Sequence, residues 1–206
     1  MGYLPPLRKV AGDLDERSDG ALLAACASGD RAALGALFDR FHVVVYQFAA
    51  RLPKIDELAR DDLVQATFLE VPRAAARFRG ASSVKTWILG LATNVARHQF
   101  RSEHRRRVHH DRFSRSLDAM PAQPDAEVER RMLLTAVAAA LAELPYDQQV
   151  AVILCDLEQR PGTEVARVLE IPEGTLWRRL HVARKALRAA LARTANDHER
   201  HEPDRA

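Results

Sequence analysis
The chain is predicted to be all-α: two small helical domains joined by a flexible linker, the second containing a helix-turn-helix. Three observations carry this. Apolar residues recur at three- and four-residue spacing through most of the chain, and no stretch alternates strictly as a half-buried strand would. Between Val108 and Ala126 that periodicity fades while Ser114, Ser116, Asp118, Pro121 and Pro124 accumulate, which marks a linker. Further on, Glu170-Ile171-Pro172 separates two apolar-striped segments in helix-turn-helix layout. The expected organisation is a tail at 1–18, a first domain at 19–107, the linker at 108–126, a second domain at 127–193 and a tail at 194–206.

Asp19 to Ser28 reads as a first helix ended by Gly29. Asp30 then caps a longer one, running through Leu34, Leu37, Phe38, Phe41, Val44, Val45 and Phe48 to about Leu52, where Pro53 stops it. A third helix spans Asp56 to about Ala76, with Leu58, Leu63, Val64, Phe68 and Leu69 on its apolar side, and Pro72 is expected to kink or shorten it. Ser82 or Ser83 caps a fourth helix that continues to about Arg107. Its core face is read as Val84, Trp87, Ile88, Leu91 and Val95, with Thr86, Gly90, Thr93, Asn94, Arg97 and Arg101 opposite. Glu127 to Leu144 and Tyr146 to Glu158 open the second domain. Val165, Val168 and Leu169 stripe the first helix of the motif; Leu176, Leu180, Ala183, Leu187 and Leu191 stripe the second, leaving Thr175, Arg178, His181 and Lys185 on an outward basic face. From about Thr194 the polar tail is expected to fray.

At 206 residues, with 47% hydrophobic and 29% charged content, the composition is that of a globular chain and argues against disorder. Cys26 and Cys155 are far apart in apolar helical patterns, so neither a disulfide framework nor a metal-ligand pair is indicated, and a reducing cytosol suits them. No apolar run is long enough to span a bilayer, and Met1-Gly2-Tyr3-Leu4-Pro5-Pro6 lacks the basic-then-apolar order of a signal peptide. A cytoplasmic protein is expected. His98, His104, His109 and His110 lack a closed ligand spacing and sit among arginines that repel a cation, so no metal or cofactor is expected. Paired carboxylates, a nucleophile triad and a phosphate-cradling glycine loop are all missing from the sequence pattern, which speaks against an enzyme.

The net charge of +3 conceals strong segregation. Seven arginines lie between Arg97 and Arg115 against Glu103 and Asp111, and six Lys/Arg between Ile171 and Arg193 against Glu173. Asp56 to Glu70 instead holds five acids and Arg60. Two basic surfaces and one acidic surface imply more than one kind of partner. Phe78-Arg79-Gly80-Ala81-Ser82-Ser83 places an aromatic, a basic residue and hydroxyls at the start of the fourth helix, where backbone amides favour anions. That combination suits unstacked single-stranded bases, and Asn94 extends it with a group able to bond base edges or phosphates.

At these residues the chain resembles the bacterial RNA polymerase sigma factors of the extracytoplasmic-function group, within the sigma-70 family. The string from Phe78 through Asn94, Phe-Arg-Gly-x-Ser-Ser-x-x-Thr-Trp-x-x-x-x-Ala-x-Asn in outline, is similar to that family's second conserved region. Asp62-Leu63-Val64-Gln65-x-Thr67-Phe68 is similar to the part of it that docks on polymerase. Leu144-Pro145, the helix-turn-helix and Gly174-Thr175-x-x-x-Arg179-Leu180 are similar to its fourth region, so the likeness spans roughly Leu22 to Leu191 in the family's order.

The resemblance implies a promoter-recognising initiation subunit with no catalytic chemistry of its own. Asp61, Asp62, Val64, Gln65 and Phe68 would bind core polymerase, whose clamp and flap in the large subunits are the implied contacts. Phe78, Arg79, Ser82, Ser83, Lys85, Thr86, Thr93, Asn94, Arg97, His98 and Arg101 would open and hold the −10 element. Thr163, Glu173, Thr175, Trp177, Arg178, Arg179, His181 and Lys185 would face the −35 element, with the recognition helix in its major groove. The linker would run near the active-centre channel and RNA exit path, and an anti-sigma protein is the implied regulator. Departures from the family pattern are Val71-Pro72 for Ala-Trp, His98 for Asp, Gly162 for an aromatic, Glu170 for Gly and Trp177 for a basic residue. A left-handed residue at Glu170 would cost about 1 kcal/mol, and Gly162 would loosen the first helix of the motif. The alternative is a stand-alone helix-turn-helix regulator whose first block dimerises or binds a ligand; it leaves the Phe78 to Arg101 face and the acidic helix unexplained.

Overall fold
The structure, a computed structural model, describes residues 14, 16–53, 55–107 and 126–199, with side chains of 100–132 and 194–199 outside that description. Among the described residues, eight α-helices and one π-helical turn follow in order: α1 (Asp19–Ala27), α2 (Arg31–Arg51), α3 (Glu57–Ala75), α4 (Val84–Arg107), α5 (Ala126–Glu143), α6 (Tyr146–Val152), the π turn (Ile153–Leu157), α7 (Gly162–Val168) and α8 (Glu173–Glu199). There is no strand among the described residues. The expected linker lies outside the described residues apart from Ala126, which already belongs to α5, and most of the N-terminal tail lies outside them too.

Local chemistry explains the helix ends. The Ser18 hydroxyl accepts from the Ala21 amide at α1, Asp30 accepts from both Ala32 and Ala33 at α2, and Asp56 accepts from Ala59 at α3. Ser83 is the cap of α4, its Oγ accepting from the Thr86 amide at 3.2 Å. Pro72 does not shorten α3, which runs on to Ala75; Val71 and Ala75 on either side are buried in the core and hold the turn that lacks a proline N–H. The chain from Thr194 does not fray at once either, since α8 continues to Glu199.

Two helix ends share one device. At the end of α1 the Asp30 amide bonds the Ala25 carbonyl and Gly29 bonds Cys26, with Gly29 at φ 89°. At the end of α7 the Ile171 amide bonds Ala166 and Glu170 bonds Arg167, the same paired closure, but with Glu170 at φ 55°. The left-handed residue expected in the helix-turn-helix turn is thus present, and a side chain occupies it. Replacing Glu170 by glycine is expected to stabilise the second block by about 1 kcal/mol, read as a raised urea midpoint at unchanged slope. A lowered midpoint would contradict it.

Helices α1 to α4 pack around Leu22, Leu37, Val45, Phe48, Leu63 and Leu89; α5 to α8 pack around Val150, Ile153, Leu154, Val165, Leu176 and Leu180. The two blocks are not held apart. Helix α7 lies against α4 so closely that a Cβ built on Gly90 would stand 2.8 Å from the Val168 Cβ. Contact on two sides changes the reading of α4. Its buried residues are Val84, Thr86, Ile88, Leu89, Gly90, Ala92, Thr93 and Ala96, while Trp87, Leu91 and Val95 are only half-buried.

Candidate nucleic-acid interface
The residues expected to meet −10 DNA cluster at the α3–α4 corner. Phe78 sets its ring edge-to-face against Trp87 with centroids 5.6 Å apart. Around them a cavity of about 280 Å³ is lined by Arg77, Arg79, Ser82, Gly90, Leu91 and Asn94 from the first block and by Arg167, Val168 and Glu170 from the second. Arg79 and Asn94 are exposed, Ser82 is half-buried, and His98 is exposed further along α4. Arg79 bonds the Ala76 carbonyl at 2.9 Å, closing the end of α3.

Thr86 and Thr93 depart from the expectation. Both are fully buried; the Thr93 hydroxyl bonds the Leu89 carbonyl and that of Thr86 pairs with Ser83 Oγ. Neither presents a hydroxyl outward here, because α4 turns them toward its packed sides. Trp87, Gly90 and Leu91 line the cleft instead, although helical phase places Trp87 and Leu91 on the core face. The signal that finds Trp87 is Phe78, an aromatic that needs a ring partner at that corner.

Several basic and hydroxyl groups already have partners. Ser83 donates through its amide at 3.1 Å and its hydroxyl at 3.0 Å to Glu164 Oε2 on α7. Partial burial pushes the Glu164 carboxyl up, but bonds from Thr86 and Ser83 and the Arg160 charge outweigh it and hold the carboxyl below its ordinary value. Lys85 Nζ lies 4.0 Å from Glu158, which also pairs with Arg51 from α2. Arg97 bonds Asp147 at 3.0 Å and stacks over Tyr146, whose hydroxyl donates to the Thr93 carbonyl at 2.7 Å. Burial pushes the Tyr146 phenol far above its ordinary value, so it remains a donor. The Arg101 side chain lies outside the described residues.

On the helix-turn-helix, Arg178, His181 and Lys185 are exposed on α8 and Thr175 is half-buried beside them. Glu173 is exposed in the first turn of α8, and Thr163 is exposed at the start of α7. Arg179 turns inward to bond Asp147 at 2.7 Å, sharing that carboxylate with Arg97.

Trp177 and Gly162 explain each other. A Cβ on Gly162 would meet the Trp177 indole at 2.8 Å, so the ring fills the space an aromatic at 162 would claim. The first helix of the motif is therefore packed through the indole, which remains 49% exposed at the start of the recognition helix. Gly162→Ala is expected to displace the ring and cost about 1 to 3 kcal/mol. The loss should largely vanish in a Trp177→Leu background; denaturation midpoints of the four-member cycle check this.

The acidic docking face is assembled by α2 and α3. Asp61, Asp62 and Gln65 are exposed, whereas Val64 and Phe68 are buried, Phe68 meeting Phe38 edge-on at 4.9 Å. Phe38, His42, Val43 and Tyr46 join Asp61, Val64 and Gln65 around a cavity of about 290 Å³. The α2 contribution was not anticipated, because helical phase cannot tell which apolar residues a third helix will leave uncovered. Among the described residues no cluster of His, Cys, Asp and Glu fits a metal ion, and no helix is long and apolar enough to cross a membrane. Burial, reinforced by Asp156, pushes the Cys155 thiol up to about 11.

Comparison with known proteins follows the same division. Residues 37–106 match the family Sigma-70 region 2 and residues 134–187 match Sigma-70, region 4. The chain is 34% identical over 188 residues to the ECF RNA polymerase sigma factor SigM of Mycobacterium tuberculosis, covering 91% of this chain and 90% of that one. It is 25% identical over 181 residues to the ECF RNA polymerase sigma-E factor of Haemophilus influenzae, covering 84% and 95%. In structure it is similar to CnrH in complex with the cytosolic domain of CnrY, with a TM-score of 0.61, 27% identity and 84% and 97% coverage. It is also similar to the sigma factor RpoE bound to the anti-sigma factor NepR from Bartonella quintana, with a TM-score of 0.60, 25% identity and 75% and 94% coverage.

Proposed function
This chain belongs to the ECF RNA polymerase sigma factors of the sigma-70 family, and we propose that its two blocks divide that work between the residues described above. As a sigma factor it binds core RNA polymerase and directs promoter-specific initiation. The first block docks through Asp61, Asp62 and Gln65 and the cavity beside them, an acidic rim around apolar side chains. It captures unstacked −10 bases at the Phe78–Trp87 corner, where an aromatic pair, Ser82, Arg79 and Asn94 converge on one cleft. That convergence is the observation that carries the assignment. The second block sets α8 in the major groove of the −35 element, with Arg178, His181 and Lys185 outward and Trp177 at the groove edge. No step of this work needs catalytic side chains, a metal or a cofactor, and the chain acts in the cytoplasm, where polymerase and promoters are. An anti-sigma protein is the fitting regulator, as for RpoE, seen in complex with the anti-sigma factor NepR.

The decisive experiment adds the purified chain to core polymerase and scores specific transcripts from genomic DNA. Tight promoter binding by the chain alone, with no polymerase association, would instead establish a stand-alone regulator. Within the sigma reading, Asp62→Ala with Gln65→Ala weakens core binding and spares DNA contacts. Arg178→Ala costs about 1 to 3 kcal/mol at cognate −35 sequences if it reads a base, and acts uniformly across sequences if it holds phosphate.

A further inference from the structure
Arg60 stands among the five acids of Asp56 to Glu70 as their single basic residue. Asp56 and Glu57 lie one turn back, at the spacing that suits an ion pair on a helix, yet Arg60 pairs with neither. Asp56 instead accepts from the Ala59 amide at 2.8 Å as the cap of α3. The guanidinium turns the other way, across to α2, where its Cζ stands 5.9 Å over the centre of the Tyr46 ring. Its Nε is buried there with no hydrogen-bond partner, and among the described residues no carboxylate answers the rest of the fork. Such a group is costly in the free chain, because a shut-in N–H has given up water and gained no acceptor.

The place matters as much as the missing partner. Tyr46 is one wall of the cavity of about 290 Å³ on the docking face, and Asp61, the next residue after Arg60, is another. Along α2 the rings of Phe38, His42 and Tyr46 follow at four-residue spacing, with His42 stacked flat on Phe38 at 4.9 Å and its Nδ1 2.9 Å from the Phe38 carbonyl oxygen. Arg60 thus tops a row of rings that walls the groove between α2 and α3. The face around it is not uniformly acidic in another respect: Leu58 and Leu69, which helical phase puts on the apolar side of α3, are 81% and 69% exposed. They share an outer stripe with Asp62 and Gln65.

We propose that Arg60 is a specificity-determining residue of polymerase docking, held by Tyr46 to receive a carboxylate side chain of core RNA polymerase while Asp61 and Asp62 meet basic ones. This rests on the reading of the α2–α3 face as the docking face. A guanidinium offers a planar fork that matches a carboxylate, and a half-buried one already stripped of part of its water loses less on pairing. Charges of both signs on one face also set the register, since a partner displaced along the groove would bring acid against acid.

The test titrates the N-terminally fluorescein-labelled full chain with core polymerase and follows anisotropy. Arg60→Gln, which keeps the length and removes the charge, is expected to bind about tenfold more weakly at an unchanged urea midpoint, and Arg60→Lys to retain most of the affinity. The Arg60→Lys complex is then treated with a water-soluble carbodiimide, which joins an amine to a carboxylate in contact with it, and the products are mapped by mass spectrometry. An amide between position 60 and an Asp or Glu of core polymerase is the expected product. Binding of Arg60→Gln within about threefold of wild type, or a link from position 60 only to an acid of this chain, or none at all, overturns the assignment. The carbodiimide product decides the matter if Arg60→Gln does not fold. Failure of the wild-type chain to bind core polymerase refutes the proposed function together with this role, whereas wild-type binding that Arg60→Gln matches refutes the role of Arg60 alone.

Discussion

Phe48→Ala is expected to destabilise the first block by about 3 to 5 kcal/mol, the largest effect of any single change considered. Phe48 is fully buried on α2, on the stripe that includes Leu37, Phe41 and Val45. Helix α2 packs against α1, α3 and α4 together, so no neighbour can move in to fill the space without leaving another contact. The lost transfer free energy and the unfilled cavity therefore add. Since whole domains are stable by only about 5 to 15 kcal/mol, the variant should sit near its unfolding threshold at growth temperature. Urea denaturation followed by Trp87 fluorescence measures it, and a loss under about 1 kcal/mol would show that the four-helix core is not closed around Phe48.

Leu180→Ala is the counterpart in the second block, with an expected loss of about 2 to 5 kcal/mol. Leu180 lies fully buried on α8 with Leu176 and Ala183, where α5, α6 and α7 all pack on the recognition helix. The same change loosens the platform that aims Arg178 and His181, so −35 affinity should fall with stability. The two blocks meet through ion pairs at Asp147 and Glu158 as well as the close Gly90–Val168 contact, and interfaces between domains of one chain resemble transient ones. Leu180→Ala should accordingly split unfolding into two steps, the earlier seen at Trp177 and the later at Trp87. A single coincident transition at both tryptophans would show that the seam couples the blocks more strongly than its ion pairs suggest.

Much of the fold was legible because its signals are local. Asp30, Asp56 and Ser83 announce helix starts by a side-chain oxygen within reach of amides two or three residues on, and Gly29 and Pro53 announce ends. The same holds for the outward set Arg178, His181 and Lys185, which follows from helical phase alone. Where the reading went astray, a second contact surface was responsible. Thr86 and Thr93 seemed free because α4 was pictured with one packed side, whereas it has the first block on one flank and α7 on another. The α2 share of the docking cavity escapes helical phase for the converse reason: Phe38 lies on the apolar stripe of α2 yet stays 38% exposed.

By itself, then, the sequence determined the helices, their order, the division into two blocks and the family, since each is written in caps, breakers, periodicity and motif strings that act over a few residues. Tertiary structure alone decided how the blocks meet. Asp147, Glu158 and Glu164 carry no local mark of their role, because a carboxylate's partner is set by which helix folds back to face it. Only the folded chain brings Glu164 onto Ser83, 81 residues away in sequence, and sets Val168 in the notch at Gly90.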